Sequence, residues 1–450
     1  MAFFGTAGIR GPLSKVSPEL CMNVGMALAT YLGNDGKVVV ARDGRVTGQM
    51  LFHALTSGIM AGGIDVLDAG CLPTPLLAFA SYNYVVDGSV MLTASHNPAS
   101  DNGIKLFTSE GSEFDLTAEK QIEGLVGDAS FNLARWDEIG MLRTLDTVIE
   151  EYIDYLLGFV EMERELRVVV DCANGVGALV APRVLRRMGC KVITTNSQLD
   201  GFFPGRPAEP TPENIREFTR VVRSTGADIG FALDGDADRV AVVDGDGTIV
   251  QDDALINLFA RLAVEEKGSG TVVTSINTSR AIQETVETAG GSLKRVRLGA
   301  LHEGIRETGA VFGAEPWKLI FPEFGGWIDG IFCAARIASL VSHEGTLADL
   351  VPPVPAYPLI RKNVYVTPGT QPQIMSHVHE RMLTSFSDVE SMLDIDGLRL
   401  DTSDGWLLVR ASGTEPKIRV VAEGRTDRIA NDYFTKGMGF VEEALAKIDK

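Results

Sequence analysis

The feature that most constrains this chain is a repeated rhythm of short apolar strand, glycine-rich turn and helix. Lys37–Ala41 (KVVVA) is a β-branched run, followed by a polar turn and a helical pattern over Gln49–Ala61 that stops at Gly62 and Gly63. Ile64–Ala69, Thr74–Ser81 and Gly88–Thr93 continue as strand, helix and strand. The rhythm returns in strand Leu166–Asp171, helix Gly177–Met188, strand Lys191–Thr195, helix Asn214–Thr225, and strands Asp228–Leu233 and Arg239–Asp244, closed by a turn at 244–247. A third unit begins near Ala254: strand Thr271–Ser275, helix Arg280–Ala289, strand Leu293–Arg297, helix Ala300–Thr308 and strand Ala310–Phe312. Such alternation predicts parallel sheets covered by helices on both faces. Three such units read as a triplication whose sequence self-similarity is weak. The prolines at 352, 353, 355 and 358 break the pattern and predict a linker. Beyond it, strands at Ile360–Val366, Gly397–Leu400, Trp406–Arg410 and Ile418–Ala422, with helices at Gln373–Ser385 and Thr426–Ile448, describe an α+β unit with an antiparallel sheet. The expected division is 1–149, 150–248, 249–356 and 357–450: three α/β domains with mixed, mainly parallel sheets, then an α+β domain.

Composition narrows the class. The 41 Lys and Arg stand against 60 Asp and Glu, for a net charge of −19, and no basic block of 5–8 residues occurs. A nucleic-acid binder needs an electrostatic footprint that this chain lacks. Five cysteines are scattered without a C-x-x-C pair, as expected of buried thiols in a reducing compartment. The opening MAFFGTAGIRG has no signal-peptide pattern, and no run approaches about 18 consecutive apolar residues. A cytoplasmic protein that does not span a membrane is expected. If its substrate is anionic, the few cations must be gathered locally.

Three segments carry chemistry on their own. Thr93–Pro98 (TASHNP) ends an apolar strand, where ligands sit in open α/β sheets. It presents Ser95 beside His96 as a nucleophile is presented, or forms a plain Ser/Asn turn. Asp234–Arg239 (DGDADR) places three carboxylates at alternate positions of one tight loop, a set of hard oxygen ligands suited to Mg²⁺; the bland alternative is a solvated acidic turn. EF-hand spacing is not met. Arg410–Pro416 (RASGTEP) combines an arginine fork, Ser412, Thr414 and the backbone of Gly413 after a strand, with Arg419 beyond; it reads as a phosphate cradle or as an ordinary hairpin turn. Arg10 in FGTAGIRG and Lys105 in NGIK are uninformative in isolation.

In order and spacing these segments resemble the α-D-phosphohexomutase family, which includes phosphoglucomutase, phosphomannomutase and phosphoglucosamine mutase. The resemblance covers the whole chain, with lesser matches at ARDGR (41–45), LPTP (72–75) and DGFFPGRPAEP (200–210). It implies four domains around a central cleft. Ser95 would carry a phosphoryl group, and Asp234, Asp236 and Asp238 with an oxygen of that phosphoserine would hold one Mg²⁺ per chain. Arg10, His96 and Arg239 would neutralise charge, and Lys105, with a locally depressed pKa, would be the general acid/base. Arg410, Ser412, Gly413, Thr414 and Arg419 would clamp the phosphate not being transferred. A sugar bisphosphate would be activator and intermediate.

The sugar loop departs from the family pattern. Gly313–Leu319 reads GAEPWKL: Glu315 is kept, Trp317 stands where a small polar residue is usual, and Lys318 replaces a glycine. The Trp317 ring either stacks on a sugar or packs within a repositioned loop. IFPEF and DGI resemble the archaeal phosphoglucosamine mutase-like branch. The implied function is a mutase between 1- and 6-phosphates of a hexose or hexosamine. The alternatives are an archaeal-type phosphopentomutase, a non-catalytic phosphosugar-binding regulator and, more weakly, a phosphoserine hydrolase. The partner is a phosphorylated sugar, and the protein is expected as a monomer or homodimer.

Overall fold

The computed structural model describes residues 3–5, 8–351, 357–386, 388–412 and 416–448. The chain forms two compact units, Met1–Leu255 with Pro316–Pro352, and Ile256–Glu315 with Pro353–Lys450. Its architecture is four-domain α/β: mostly parallel mixed sheets, then a C-terminal antiparallel sheet.

In the first unit, six strands lie in the order Ile9–Pro12, Asp101–Thr108, Gly88–Leu92, Lys37–Arg42, Asp65–Cys71 and Leu142–Thr144. The last four run parallel, with Val38, Val39, Val40, Val66, Val90 and Leu92 buried, and Asp101–Thr108 is antiparallel to both its neighbours. This reversal positions the chemistry. The chain leaves the sheet after Leu92, turns through TASHNP, and returns with Lys105 opposite Met91. Ile9–Pro12 then pairs with the returning strand, Arg10 against Gly103 and Ile9 against Ile104. Arg10 and Lys105 thus come from adjacent strands beside the Ser95 loop.

A second sheet in this unit has the order Val240–Asp244, Ile229–Leu233, Arg167–Asp171 and Lys191–Thr195. The hairpin between its two antiparallel strands carries Asp234–Arg239. The sequence predicts one helix over 177–188; the structure has a 3₁₀ turn, Val176–Leu179, and a separate helix, Ala181–Arg187. Pro182 explains the break, because it has no N–H to donate to residue 178 and its ring would strike that carbonyl. The 244–247 turn is built on Asp244 Oδ1, which accepts from the N–H groups of Asp246 and Thr248. Helix Gly330–Glu344 is capped by Asp329, whose Oδ1 accepts from the N–H groups of Ile331 and Phe332.

In the second unit, Ser292–Val296, Thr271–Ser275 and Phe312–Glu315 are parallel neighbours. The last begins later than the predicted 310–312, because the chain first turns through Gly309, left-handed at φ 61°. An antiparallel sheet follows in the order Leu359–Tyr365, Lys417–Gly424, Gly405–Ala411, Leu398–Thr402 and Val389–Asp394. Helices Gln371–Ser385 and Asp427–Ile448 bury Ile374, Val378, Met382, Phe440 and Val441 against Leu398, Leu407, Val409 and Val420. Arg399, wholly buried, joins the sheets: it pairs with both Asp401 oxygens, donates to the carbonyls of Ile276 and Thr278, and lies 3.9 Å from the Trp406 ring centre. Of the predicted linker prolines, 352, 353 and 355 lie outside the described residues. Among the described residues no helix is long and apolar enough to cross a membrane.

Candidate active site

The first unit gathers a reactive hydroxyl, three carboxylates and several cations. Ser95 is wholly buried, and its backbone is left-handed at φ 52°. Its Oγ donates to Asp234 Oδ2 at 3.0 Å and lies 3.2 Å from His96 Nδ1. Burial, reinforced by the nearby Arg239 and Arg10 charges, pushes the His96 pKa far below the usual histidine value, so the imidazole is neutral.

Among the described residues, Asp234, Asp236 and Asp238 form the one group of acidic, cysteine or histidine side chains able to offer three metal-ligand atoms, all within 4.8 Å of one another. All three are buried, and Asp236 Oδ1 and Asp238 Oδ1 have no hydrogen-bond partner among the described residues. Buried carboxylate oxygens left in this condition are costly, and a hard divalent cation satisfies them. The donor set therefore fits the expected metal. Burial and the charges of Asp236 and Asp238 drive the Asp234 pKa well above the carboxylate range. Asp236 Oδ2 accepts from Thr74 Oγ1 at 2.6 Å, a contact from the LPTP segment that residue-by-residue reading had not singled out.

Lys105 Nζ lies 3.2 Å from Asp236 Oδ2, 3.1 Å from Asp238 Oδ2 and 3.7 Å from Glu113 Oε1. The expected depression of its pKa is not found. Burial does work against the ammonium, but the three carboxylates outweigh it and raise the pKa above the ordinary lysine value. Lys318 Nζ adds a second amine 3.7 Å from Asp238 Oδ2. Arg239 spans Glu209 Oε1 at 3.1 Å and Asp238 Oδ1 at 3.9 Å. Arg10 is partly buried, with Nε and Nη2 buried and unpartnered among the described residues, and desolvation lowers its pKa despite Asp236 and Asp238. A guanidinium with buried, unpartnered donors near this cluster is an anion-binding arrangement.

Trp317 packs with the apolar cluster of Ile215, Phe218, Ala241 and Val243, and its carbonyl accepts from Val240 N–H. Its backbone is also left-handed, at φ 64°. The structure thus favours the packed alternative for its ring.

In the second unit, Glu315 Oε1 accepts from Gly299 N–H at 2.6 Å. Arg410 and Arg419 stand directly opposite on antiparallel strands, so they share one face of the sheet. Arg410 Nη2 is 2.9 Å from Asp396 Oδ2. Ser412 is buried at the strand end, whereas Gly413 and Thr414 lie outside the described residues.

Comparison with known proteins identifies the class. Models of phosphoglucomutase/phosphomannomutase match along the chain: alpha/beta/alpha domain I over 1–133, domain II over 150–247, domain III over 251–357 and the C-terminal domain over 366–436. The chain belongs to the phosphoglucomutase/phosphomannomutase family and is an isomerase of the phosphohexomutase superfamily. It is 45% identical to a phosphopentomutase of Thermococcus kodakarensis, with all of each chain covered. It is 42% identical to a probable phosphoglucosamine mutase of Methanothermobacter thermautotrophicus, covering 98% of each. A phosphoglucomutase/phosphomannomutase family protein of Burkholderia thailandensis superposes with a TM-score of 0.90 at 27% identity, covering 98% of this chain and 97% of that one.

Proposed function

We propose that this protein moves a phosphoryl group between the 1-position and the terminal hydroxyl of a sugar phosphate, through phosphorylated Ser95 and a sugar bisphosphate. The observation that carries the reading is the Ser95 hydroxyl, buried 3.0 Å from Asp234 within a cluster of three carboxylates. Phosphoryl transfer depends on positioning and charge neutralisation, and these residues supply both. Asp234, Asp236 and Asp238 would hold one Mg²⁺, which when bound supplies Lewis-acid stabilisation of the phosphoryl oxygens. Arg10 and Arg239 neutralise the same charge, and neutral His96 holds a ring nitrogen at Ser95 Oγ.

When Ser95 Oγ bonds to phosphorus of the bisphosphate, its proton passes to Asp234 Oδ2, to which it already donates, the P–O bond to the sugar breaks, and Lys105 gives a proton to the departing sugar oxygen. In the opposite transfer a sugar hydroxyl forms its bond to phosphorus, the Ser95 O–P bond breaks, the neutral Lys105 amine takes the hydroxyl proton, and Asp234 returns its proton to Ser95 Oγ. The ammonium form of Lys105, which the surrounding carboxylates favour, is the form that enters the first of these steps. Arg410, Ser412, Gly413, Thr414 and Arg419 would bind the phosphate that stays. Glu315, Lys318 and the Trp317 segment would recognise the sugar. The domains follow as 1–149, 150–248, 249–356 and 357–450, and the reduced cysteines suit the cytoplasm.

The leading substrates are hexose or hexosamine 1- and 6-phosphates. Pentose 1- and 5-phosphates form a second reading, favoured by the GAEPWKL departure and the likeness to a phosphopentomutase. Assays on both sugar classes, each primed with its bisphosphate, separate them. Ser95→Ala abolishes turnover and the phosphorylated mass species; full turnover by this variant sinks the reading.

A further inference from the structure

We propose that the Asp43–Arg45 pair is a positioning device that holds the Ser95 backbone in its left-handed form, with Phe203 as its backstop. This rests on the reading of Ser95 as the phosphoryl carrier. A non-glycine residue at φ 52° costs roughly 1–3 kcal/mol and persists only where its surroundings over-determine it. Arg45 and Asp43 provide that surrounding.

A guanidinium has five N–H donors, and all five of Arg45 are used. Nη2 donates to the carbonyls of Ser95 at 2.9 Å and Asn97 at 2.8 Å. Nη1 donates to the carbonyls of Pro98 at 2.6 Å and Asp101 at 2.8 Å. Nε donates to Asp43 Oδ2 at 3.0 Å. One buried side chain therefore gathers four carbonyls of the Ser95–Asp101 turn onto a single plane. Asp43 grips the other side of the serine: its Oδ2 accepts from Thr93 Oγ1 at 2.7 Å, and Thr93 Oγ1 accepts from Ser95 N–H at 2.8 Å. The Ser95 N–H and carbonyl are thus both fixed by the same pair, one through Thr93 and one directly.

The clamp is itself braced. The Phe203 ring centre lies 5.1 Å from the Arg45 guanidinium carbon. Its loop approaches so closely that a Cβ at Gly201 would stand 2.4 Å from Gly44 O and 2.9 Å from Arg45 Cα. Neither Asp43 nor Arg45 donates to Ser95 Oγ, so both act on where the hydroxyl points rather than on its reaction. Lysine cannot replace the arginine, because three donors on one nitrogen cannot reach five acceptors spread around a planar fork.

The test joins kinetics to stability. In Arg45→Lys, kcat and the rate at which a sugar bisphosphate phosphorylates Ser95, followed by intact mass, fall about ten- to a hundredfold, the scale of a 1 Å misplacement. KM is unchanged, because no substrate contact is lost. Separately, Ser95→Gly and Ser95→Ala are compared by Tm in both backgrounds. With Arg45 present the glycine variant melts higher, since glycine accepts positive φ freely; with Arg45→Lys that advantage disappears. Should Arg45→Lys not fold, Phe203→Leu removes the brace but not the hydrogen bonds, and shifts each readout the same way to a smaller extent. Wild-type kcat in the substituted protein, or an unchanged glycine-over-alanine difference, overturns the proposal. The Tm comparison needs no turnover, so it still judges the clamp if every sugar assay fails and the functional reading falls.

Discussion

Lys105 is the sharpest place to test how the carboxylate cluster is held together. The side chain is 1% exposed, with its amine 3.1–3.2 Å from two buried aspartates. Lys105→Met keeps the length and the apolar stem but removes the cation nearest to both Asp236 and Asp238, leaving Lys318 and Arg239 against Asp238. Removing one partner of a buried ion pair costs about 3–5 kcal/mol. With about 2–4 °C per kcal/mol for a domain of 150–250 residues, the metal-free variant should melt about 6–20 °C below wild type. Magnesium should then narrow the gap. A cation at a hundred times its dissociation constant adds about 2.7 kcal/mol to either protein, and it binds the variant more tightly because the Lys105 ammonium no longer competes for Asp236 and Asp238. The assay is thermal unfolding by circular dichroism in EDTA and across a Mg²⁺ titration, independent of turnover. A variant as stable as wild type in EDTA, or a gap that Mg²⁺ leaves unchanged, refutes the reasoning.

Two further perturbations probe the same unit. A Cβ at Gly235 would lie 2.7 Å from Ser95 O, so Gly235→Ala must push the aspartate loop and the serine loop apart. It should cost about 1–3 kcal/mol and reduce kcat by up to about a hundredfold, and a wild-type rate would refute this. Asp329 accepts from Tyr152 Oη, Trp327 Nε1 and two backbone N–H groups, yet burial outweighs these bonds and raises its pKa to about 6. The native protein therefore holds this proton between about pH 4 and 6 where the unfolded chain releases it, so stability from this group falls as pH rises through that window. Relative to wild type, Asp329→Asn should gain stability from pH 5 to pH 7 in urea unfolding; parallel pH curves would count against it.

What the sequence revealed follows from how local each interaction is. Strands such as Lys191–Thr195 and Thr271–Ser275 match their predicted bounds because β-branched runs between turns are short-range signals. The aspartates of DGDADR come together within one hairpin, so their convergence was readable from spacing. Arg45 was not: its acceptors lie about fifty residues away, and no local pattern shows that one guanidinium will saturate itself on a distant turn. The raised Lys105 pKa was missed for the same reason, since Asp236 and Asp238 lie more than 130 residues along the chain. For Trp317 the sequence left stacking and packing both open, because a left-handed tryptophan has no sequence signature; the fold shows that its ring has apolar company.

The brace on Arg45 also has a bearing on how the protein matures. Ser95 and Arg45 belong to the first α/β domain, but Phe203, Gly235 and Asp234 belong to the second. A nascent chain that has completed only its first 149 residues has the nucleophile's sequence without the ring behind its clamp or the carboxylate that meets its hydroxyl. On the proposed reading of Ser95, competence to accept phosphate is thus a property of two assembled domains rather than of a motif, and a half-made protein holds a serine that is chemically ordinary.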